Sequence, residues 1–487
     1  MLFNFFLTVF NPLKLRLVSD IIPLEKTYRR QNLMEKNKYL IVGAGRSGIA
    51  AAKMLSQLGG TYVIYDANEN LDTAAVCEKI GEKDIPFILG GDAKGQLDGI
   101  DICVVSPGVS LETPVMQTVL SAGITVYSEI ELAYRYDKGQ VLAITGTNGK
   151  TTTTSLTYEI MKSVNDKTLL VGNIEIPYTG LALSSSPDSV TVAEISSFQL
   201  ETMITFKPKV SAILNITPDH LDRHGSMENY IEVKKSIAKN QDENDTCVLN
   251  YDDEVLREFA KELKCKVVFF SSSQKLENGL YYTDGKIFYN KNGEDILVCR
   301  TDEINLVGLH NFENIMAAVA ITDSFGVPME KIREVVKKFV AVEHRIEFTA
   351  EINGVRYYND SKGTNTDAAI KAIDAMPSST ILIAGGYDKH SDYGDWISHL
   401  IGKCKLLLLM GQTREKIAAA CEEAGFKTYR FVESMQEAVD VAFENAESGD
   451  CVLLSPACAS WGMFKNYQQR GTMFKDMVRE IEKKQQK

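Results

Sequence analysis

The sequence has no Cys-x-x-C pair, no run of lysine and arginine, and no apolar stretch long enough to cross a bilayer. Each absence excludes a class of protein. Its nine cysteines are scattered and odd in number, which fits a reducing cytosol better than a disulfide framework or a zinc site. A net charge of -12 without a basic-aromatic patch argues against a nucleic-acid surface, so anionic substrates must be met by local sites. The apolar stretch Met1 to Phe10 lacks a basic flank and falls short of the roughly 20 residues a spanning helix needs, so no stable membrane insertion is expected. Residues 1–33 read as a loose extension or an upstream reading of the start codon. Hydrophobic content of 44% and charged content of 24% are those of a soluble globular protein, and 487 residues predict about three domains.

What is present centres on Gly146-Thr147-Asn148-Gly149-Lys150-Thr151-Thr152-Thr153-Thr154. An apolar run, Val141 to Ile144, precedes it, and helical periodicity follows from Ser155 to Val164, so strand, glycine turn and helix are predicted. Such a turn cradles phosphate. Backbone N–H groups and the helix dipole meet the anion, Lys150 adds positive charge, and the Thr151 hydroxyl can reach Mg2+. The usual longer loop would need glycine at Ile144, so this is a shorter G-x-x-G-K-T-T variant. A Gly-Asn turn before an ordinary helix is the plain alternative, but Lys followed by four threonines is a poor helix start unless something polar sits there.

Upstream, the strand Tyr39 to Val42 runs into Gly43-Ala44-Gly45-Arg46-Ser47-Gly48 and a helix from Ile49 to Leu58; a second strand, Tyr62 to Tyr65, ends on Asp66. This is the dinucleotide fingerprint of a Rossmann-like unit, and it leaves an NAD-dependent oxidoreductase open. A further strand, Ile102 to Val105, opens into the turn Ser106-Pro107-Gly108.

Beyond the phosphate loop, apolar runs at Thr168 to Val171, Val190 to Ala193, Val210 to Ile213, Cys247 to Leu249 and Lys266 to Phe270 alternate with helical stretches. Two turns carry chemistry: Glu194-Ile195-Ser196-Ser197-Phe198-Gln199, and Asn215 to His224. His220 and His224 at i, i+4 lack a third zinc ligand, and an oxygen-rich Mg2+ site at Glu194 and Thr151 fits better. On the helix predicted over Met227 to Lys239, Lys234 lies in the middle of an apolar arc, which leaves it either snorkelling or held neutral by burial. Gly308 to Asn314 is expected to precede an Ala-rich helix, with Asn311 either reading a base or capping that helix. Glu343-His344-Arg345 reads as a hinge. After it, strands at Arg356 to Tyr358, Thr380 to Ala384, Lys405 to Met410 and Cys451 to Leu454 each end in a polar or glycine turn, predicting a parallel sheet with Thr364, Lys389 and Ser455 at one edge to receive a carboxylate.

Together GTNGKTT, EISSFQLE, NITPDHLDRH, GLHNFEN, EHRIE, NDSKGTN and SPACAS with FKNYQQRG resemble the motifs of the Mur ligases, across about residues 38–475. The first domain and the SPACAS to RG stretch are most similar to the D-glutamate-adding branch. The resemblance implies an α/β protein of three domains: a Rossmann-like UDP-substrate domain (34–130), a central P-loop-type ATPase α/β domain (131–341) and a Rossmann-like amino-acid domain (342–487). It implies an ATP-dependent, amide-forming ligase that is cytoplasmic and monomeric. Its substrates would be UDP-N-acetylmuramoyl-L-alanine, D-glutamate and ATP. Gly146, Thr147, Asn148, Gly149, Lys150, Thr151, Thr152, Asn311, Asn314, Arg345 and Asp360 would bind ATP. Thr151, Glu194 and His220 would hold Mg2+, with Lys234 carbamylated by CO2. Ser47, Asp66, Gly108, Asn173, Ser196 and Gln199 would contact the UDP substrate, and Thr364, Lys389, Ser455 and Phe464 the D-glutamate. Other Mur or folylpolyglutamate-type ligases share the ATP chemistry. Asn68 stands where relatives often carry a uracil-stacking arginine, and Glu175 and His390 replace common glycines.

Overall fold

A computed structural model describes residues 37–485 apart from 175, 341, 389 and 390; the expectations for residues 1–33, Glu175, Lys389 and His390 therefore lie outside the described residues. The chain divides into two compact units. Among the described residues, the first takes those up to Thr145, Lys167–Lys209 and Pro218–Gln241, and the second Gly146–Asp166, Val210–Thr217 and those from Asp242 onward.

In the first unit, five parallel strands stand in the order Phe87–Leu89, Thr61–Asp66, Lys38–Val42, Ile102–Val105, Thr125–Ser128. Both faces are covered, and the alternation shows it: Tyr39, Ile41, Ile64 and Val104 enter one core, Leu40, Val42, Val63 and Val105 the other. The strand order reverses between Lys38–Val42 and Ile102–Val105, so the turns after these two strands flank the crevice where open sheets take ligands. Within the same unit Gln140–Thr145, Val190–Glu194 and Thr168–Gly172 pair in parallel in that order.

In the second unit Val210–Ile213, Thr246–Asn250, Lys266–Ser271 and Gly279–Thr283 pair in parallel, and Lys286–Lys291 and Glu294–Arg300 continue antiparallel. The antiparallel hairpins turn at Asp284-Gly285 and Asn292-Gly293, all four residues at positive φ. A six-stranded sheet follows in the order Glu347–Ile352, Val355–Asn359, Cys451–Leu454, Thr380–Gly385, Cys404–Met410, Tyr429–Phe431. It departs from the all-parallel expectation at one edge, where Glu347–Ile352 returns antiparallel to Val355–Asn359 through Asn353-Gly354. The helix Tyr467–Gln485 packs against this edge, burying Phe474, Val478 and Ile481 among the strand residues.

Candidate active site

The phosphate-loop helix spans Lys150–Lys162, five residues earlier than its apolar periodicity begins. All four threonines, Thr151 to Thr154, are helical and buried, and no side chain caps the first turn. A helix start without a side-chain cap is the kind that takes an anion. Gly149 is at φ +83°, and a Cβ there would lie 2.2 Å from Asn314 Oδ1, so only glycine lets the loop pass. Asn215 and Thr217 scaffold the loop. Thr147 N–H donates to the Asn215 carbonyl at 3.0 Å, Asn148 N–H to Asn215 Oδ1 at 2.8 Å, and Thr217 N–H to Thr147 Oγ1 at 3.0 Å. The N–H groups of Thr147 and Asn148 are therefore spent on the scaffold. Lys150 Nζ donates to the carbonyls of Gly146 and Thr147, both at 2.8 Å.

One pocket is lined by Asn148, Gly149, Thr152, His310, Asn311, Asn314, Arg345, Ile346, Asp360, Ala368 and Lys371, and so gathers seven residues expected at the ATP site. Asn311 and Asn314 lie inside the helix Leu309–Ser324 rather than before it. Gly308 occupies the N-cap, and the Asn311 side chain donates to the Val307 carbonyl at 2.7 Å, so Asn311 is not the cap. Its Oδ1 accepts from Asn314 Nδ2 at 3.2 Å, while Asn314 Oδ1 accepts from Thr153 Oγ1 at 3.3 Å. The Thr151 hydroxyl accepts from Arg345 Nη2 at 3.3 Å and Lys362 Nζ at 3.2 Å. Arg345 and Lys362 thus meet at the first turn of the helix that Lys150 opens, and Lys371, paired with Asp367 at 3.2 Å, lines the pocket. Burial pushes the Asp360 carboxyl up to about 7, against the bond it accepts from Ser455 Oγ at 2.7 Å. Desolvation, then Lys371 and Arg345, push the His310 imidazole down to about 3, so it lines the pocket as a neutral group.

A second group of residues belongs to the first unit. Glu194 ends its strand almost fully buried; Oε1 accepts from Asn173 Nδ2 at 2.7 Å, and Oε2 is buried with no hydrogen-bond partner among the described residues. An unpartnered buried carboxylate oxygen is costly and is the hard donor Mg2+ takes, so Glu194 fits a metal-ligand role. Lys234 is 1% exposed, with Nζ 4.7 Å from the centre of the Tyr230 ring, which settles its expected alternatives against snorkelling. Its helix ends at Lys235, and a 3₁₀ turn continues from Ser236 to Ala238. The two histidines part company: His224 is buried with Nε2 3.0 Å from Ser197 Oγ, whereas His220 is half-exposed, left-handed at φ +53°, with its ring against Phe198.

Ser196 and Gln199 form a capping box, Gln199 N–H donating to Ser196 Oγ and Ser196 N–H to Gln199 Oε1. Asp66 Oδ2 accepts from Ala44 N–H at 2.8 Å and Oδ1 from Asn68 N–H at 3.0 Å, so the acid at the strand end ties down the first glycine turn. Ser47 is half-buried near the start of the helix Arg46–Gln57, and Gly108 is exposed in its turn. Among the amino-acid residues, Ser455 is fully buried on Asp360, Phe464 packs against the apolar core, and Thr364 is half-buried in its turn.

Family comparisons agree along the chain. The MurD-like N-terminal domain of Mur ligases matches residues 37–128, the Mur ligase middle domain 144–322, and the Mur ligase glutamate ligase domain 344–458. A UDP-N-acetylmuramoylalanine--D-glutamate ligase of Lachnospira eligens is 53% identical, over 92% of this chain and 99% of that protein. The chain belongs to the Mur ligase family. A ligase of the same name from Lachnoclostridium phytofermentans is 51% identical over 91% of this chain and 97% of its own. UDP-N-acetylmuramate-alanine ligase MurC from Thermotoga maritima shares the fold at TM-score 0.58 and 18% identity, covering 91% of this chain and 99% of that one. This Mur ligase therefore has the three-domain architecture, and its first glycine turn sits in a MurD-like domain rather than in a nicotinamide enzyme.

Sequence reading passed over several residues of this Mur ligase that the site uses. Lys362 and Lys371 add charge, and the Tyr467 ring lies 5.4 Å from Lys362 Nζ. Arg470, 1% exposed, donates to Ser361 Oγ, the Ser361 carbonyl and the Cys458 carbonyl, holding the turns of NDSKGTN and SPACAS together. Arg223 donates to the carbonyls of Pro107 and Val109, on either side of Gly108, and pairs with Glu201 at 2.7 Å. A buried arginine among carbonyls leaves no sequence pattern, because its partners are backbone atoms far along the chain.

Proposed function

We infer that this Mur ligase joins D-glutamate to UDP-N-acetylmuramoyl-L-alanine with ATP hydrolysis, a step of peptidoglycan precursor synthesis. The observation that carries the reading is the cationic, glycine-lined pocket at Asn148, Gly149, Asn314, Arg345 and Lys371, in a chain 53% identical to a protein of that name. A carboxylate is a poor electrophile. Transfer of the γ-phosphoryl group to the terminal carboxylate of the muramoyl substrate gives ADP and an acyl phosphate, and the amine of D-glutamate then attacks the acyl carbon and displaces phosphate through a tetrahedral intermediate. The protein contributes positioning and charge neutralisation. Lys150, Lys362, Arg345 and Lys371 neutralise the phosphates, while Asn311 and Asn314 offer amides to the base and Asp360 an acceptor to the ribose.

Mg2+, when bound, would supply neutralisation of the phosphate charge. Glu194, with its unpartnered oxygen, and the Thr151 hydroxyl would hold it. We assign His220 and a carbamate formed by CO2 on Lys234 to a second cation; the deep burial of that lysine supports an amine that reacts in its neutral form. We assign residues 34–130 to the uridine nucleotide, through Ser47, Asp66 and Gly108, with Asn173, Ser196 and Gln199 nearer the muramoyl group. Residues 131–341 carry the ATP chemistry and residues 342–487 the D-glutamate, through Thr364, Lys389, Ser455 and Phe464. We place the reaction in the cytoplasm, where ATP and nucleotide sugars are made; no helix among the described residues is long and apolar enough to cross a membrane.

The test is phosphate release by the purified protein with ATP, Mg2+ and UDP-N-acetylmuramoyl-L-alanine, comparing D-glutamate with L-glutamate, L-alanine, glycine and meso-diaminopimelate. Release with D-glutamate alone is expected. Release with another amino acid would keep the ligase chemistry and overturn the substrate.

A further inference from the structure

We propose that Lys475, on the helix Tyr467–Gln485, is a positioning residue of the nucleotide site: its ammonium clamps Glu343 and Glu347 and so fixes the aim of Arg345 between them. The inference rests on the reading of the pocket as the ATP site.

Lys475 is 5% exposed, and its Nζ lies 2.5 Å from Glu343 Oε1 and 2.9 Å from Glu347 Oε1. Burial works against the ammonium, but the two carboxylates outweigh it and raise the Lys475 pKa; the same bond lowers that of Glu343. The clamped segment is anchored on its inner side by His344, which is buried and left-handed at φ +66°. Asn359 orients that imidazole. Its Oδ1 accepts from Ser361 N–H at 3.1 Å, so its Nδ2 is the atom facing His344 Nδ1 at 2.9 Å and donates to it. Burial also depresses the imidazole pKa, in keeping with a ring nitrogen that accepts.

The helix is shaped for this segment. Gly471 stands four residues before Lys475 on the same helical face, and a Cβ there would lie 2.3 Å from His344 Nδ1. Glu347 closes the loop, since its Oε2 accepts from His344 N–H at 2.9 Å and Asn359 Nδ2 at 3.1 Å. On the far side of Arg345, Ile346 is again left-handed at φ +43°, with its N–H toward Asp360 Oδ1 at 3.3 Å. Two such conformations in non-glycine residues persist only where the surroundings over-determine them.

Arg345 itself has little side-chain support. Nη2 reaches Thr151 Oγ1 at 3.3 Å, while Nε is buried without a hydrogen-bond partner among the described residues. Its direction is therefore set by its backbone, and the backbone is set by Lys475, Glu347 and Gly471. Glu343, His344 and Glu347 of EHRIE serve as scaffold, and Arg345 and Ile346 line the nucleotide pocket.

The full-length protein tests this with Lys475→Met, Lys475→Arg and Glu343→Gln; Glu343 is largely exposed, so its variant keeps the fold. Binding of the non-hydrolysable analogue AMP-PNP with Mg2+ is read by calorimetry, and KM is measured for each substrate. Lys475→Met should weaken AMP-PNP binding and raise KM for ATP about tenfold, leaving kcat within about threefold and the other two KM values within about twofold. Lys475→Arg should restore ATP binding to within about threefold, and Glu343→Gln should shift it in the same direction as Lys475→Met by a smaller factor. On an Arg345→Ala background, Lys475→Met should add no further loss, since it acts through that arginine. Losses that multiply on that background, or an equal rise in all three KM values, would overturn the proposal. Wild-type protein that binds no AMP-PNP would instead sink the ATP reading, whereas wild-type binding that Lys475→Met leaves unchanged would sink the clamp alone.

Discussion

At Gly43 to Gly48 a strand passes through two glycines into the helix Arg46–Gln57, which holds the third, and at Gly146 to Gly149 another strand passes through two into the helix Lys150–Lys162. Neither helix has a side-chain cap, so both offer N–H groups to an anion. What surrounds them differs. The first turn carries exposed Arg46 in its own sequence, and the carboxylate of Asp66 holds Ala44 N–H. The second has Lys150 in its own loop, with Arg345 and Lys362 on the Thr151 hydroxyl. The glycine pattern reports a strand-to-helix turn near a ligand; the side chains around it decide whether that ligand carries a triphosphate. The first turn suits a nucleotide held by hydrogen bonds and little counter-charge, the second a polyanion.

The two turns differ most in what the second loses with its lysine, Lys150. Lys150→Ala should lower D-glutamate-dependent phosphate release by on the order of a thousandfold with an unchanged melting temperature, whereas Arg46→Ala should cost far less. Equal losses would erase the distinction. Next come the glycines themselves. A Cβ at Gly48 would lie 1.8 Å from the Gly43 carbonyl oxygen, and one at Gly149 2.2 Å from Asn314 Oδ1. Gly48→Ala should cost about 3 kcal/mol in urea unfolding, and Gly149→Ala should also abolish AMP-PNP binding.

A smaller effect sharpens the comparison through pH. Burial pushes Glu129 of the first unit and Asp360 of the second up to about 7. Both folded-state values lie above the unfolded ones, so each group's contribution is fully present below about pH 4 and is lost as pH rises toward 7. Glu129→Gln should therefore gain on wild type in urea stability between pH 5 and 7.5; a flat difference would place the proton elsewhere. Asp66→Ala, which removes the acceptor of Ala44 N–H, should cost about 1 kcal/mol. Smallest is Gly45→Ala: with φ -77° and nothing within 4 Å of the added Cβ, stability should stay within about 0.5 kcal/mol.

The parallel strands were legible because each is a short apolar run ending at a glycine or polar turn; Ile102–Val105, Val210–Ile213 and Cys451–Leu454 fall on the expected residues. The antiparallel hairpins were not, although Asp284-Gly285, Asn292-Gly293 and Asn353-Gly354 announce them, because their strands mix charged and apolar residues. At the site, one helical arc placed Lys234 on the apolar face but left snorkelling and burial both open, and the fold buries it. The Ser196–Gln199 capping box was also written locally as S-x-x-Q. Lys475 and Arg470 could not be found that way, since folding alone brings them to Glu343, Glu347 and Ser361, more than 100 residues away.

The placement of Gly471, Arg470 and Lys475 also has a consequence for the order of synthesis. The phosphate loop and Arg345 leave the ribosome long before the helix Tyr467–Gln485 exists. Until that helix is translated, His344 has no Gly471 to pack on, Glu343 and Glu347 have no Lys475 between them, and the turn of Ser361 has no guanidinium beneath it. A nascent chain stalled before residue 467 thus carries every residue of the phosphate loop while still lacking this brace of the nucleotide site.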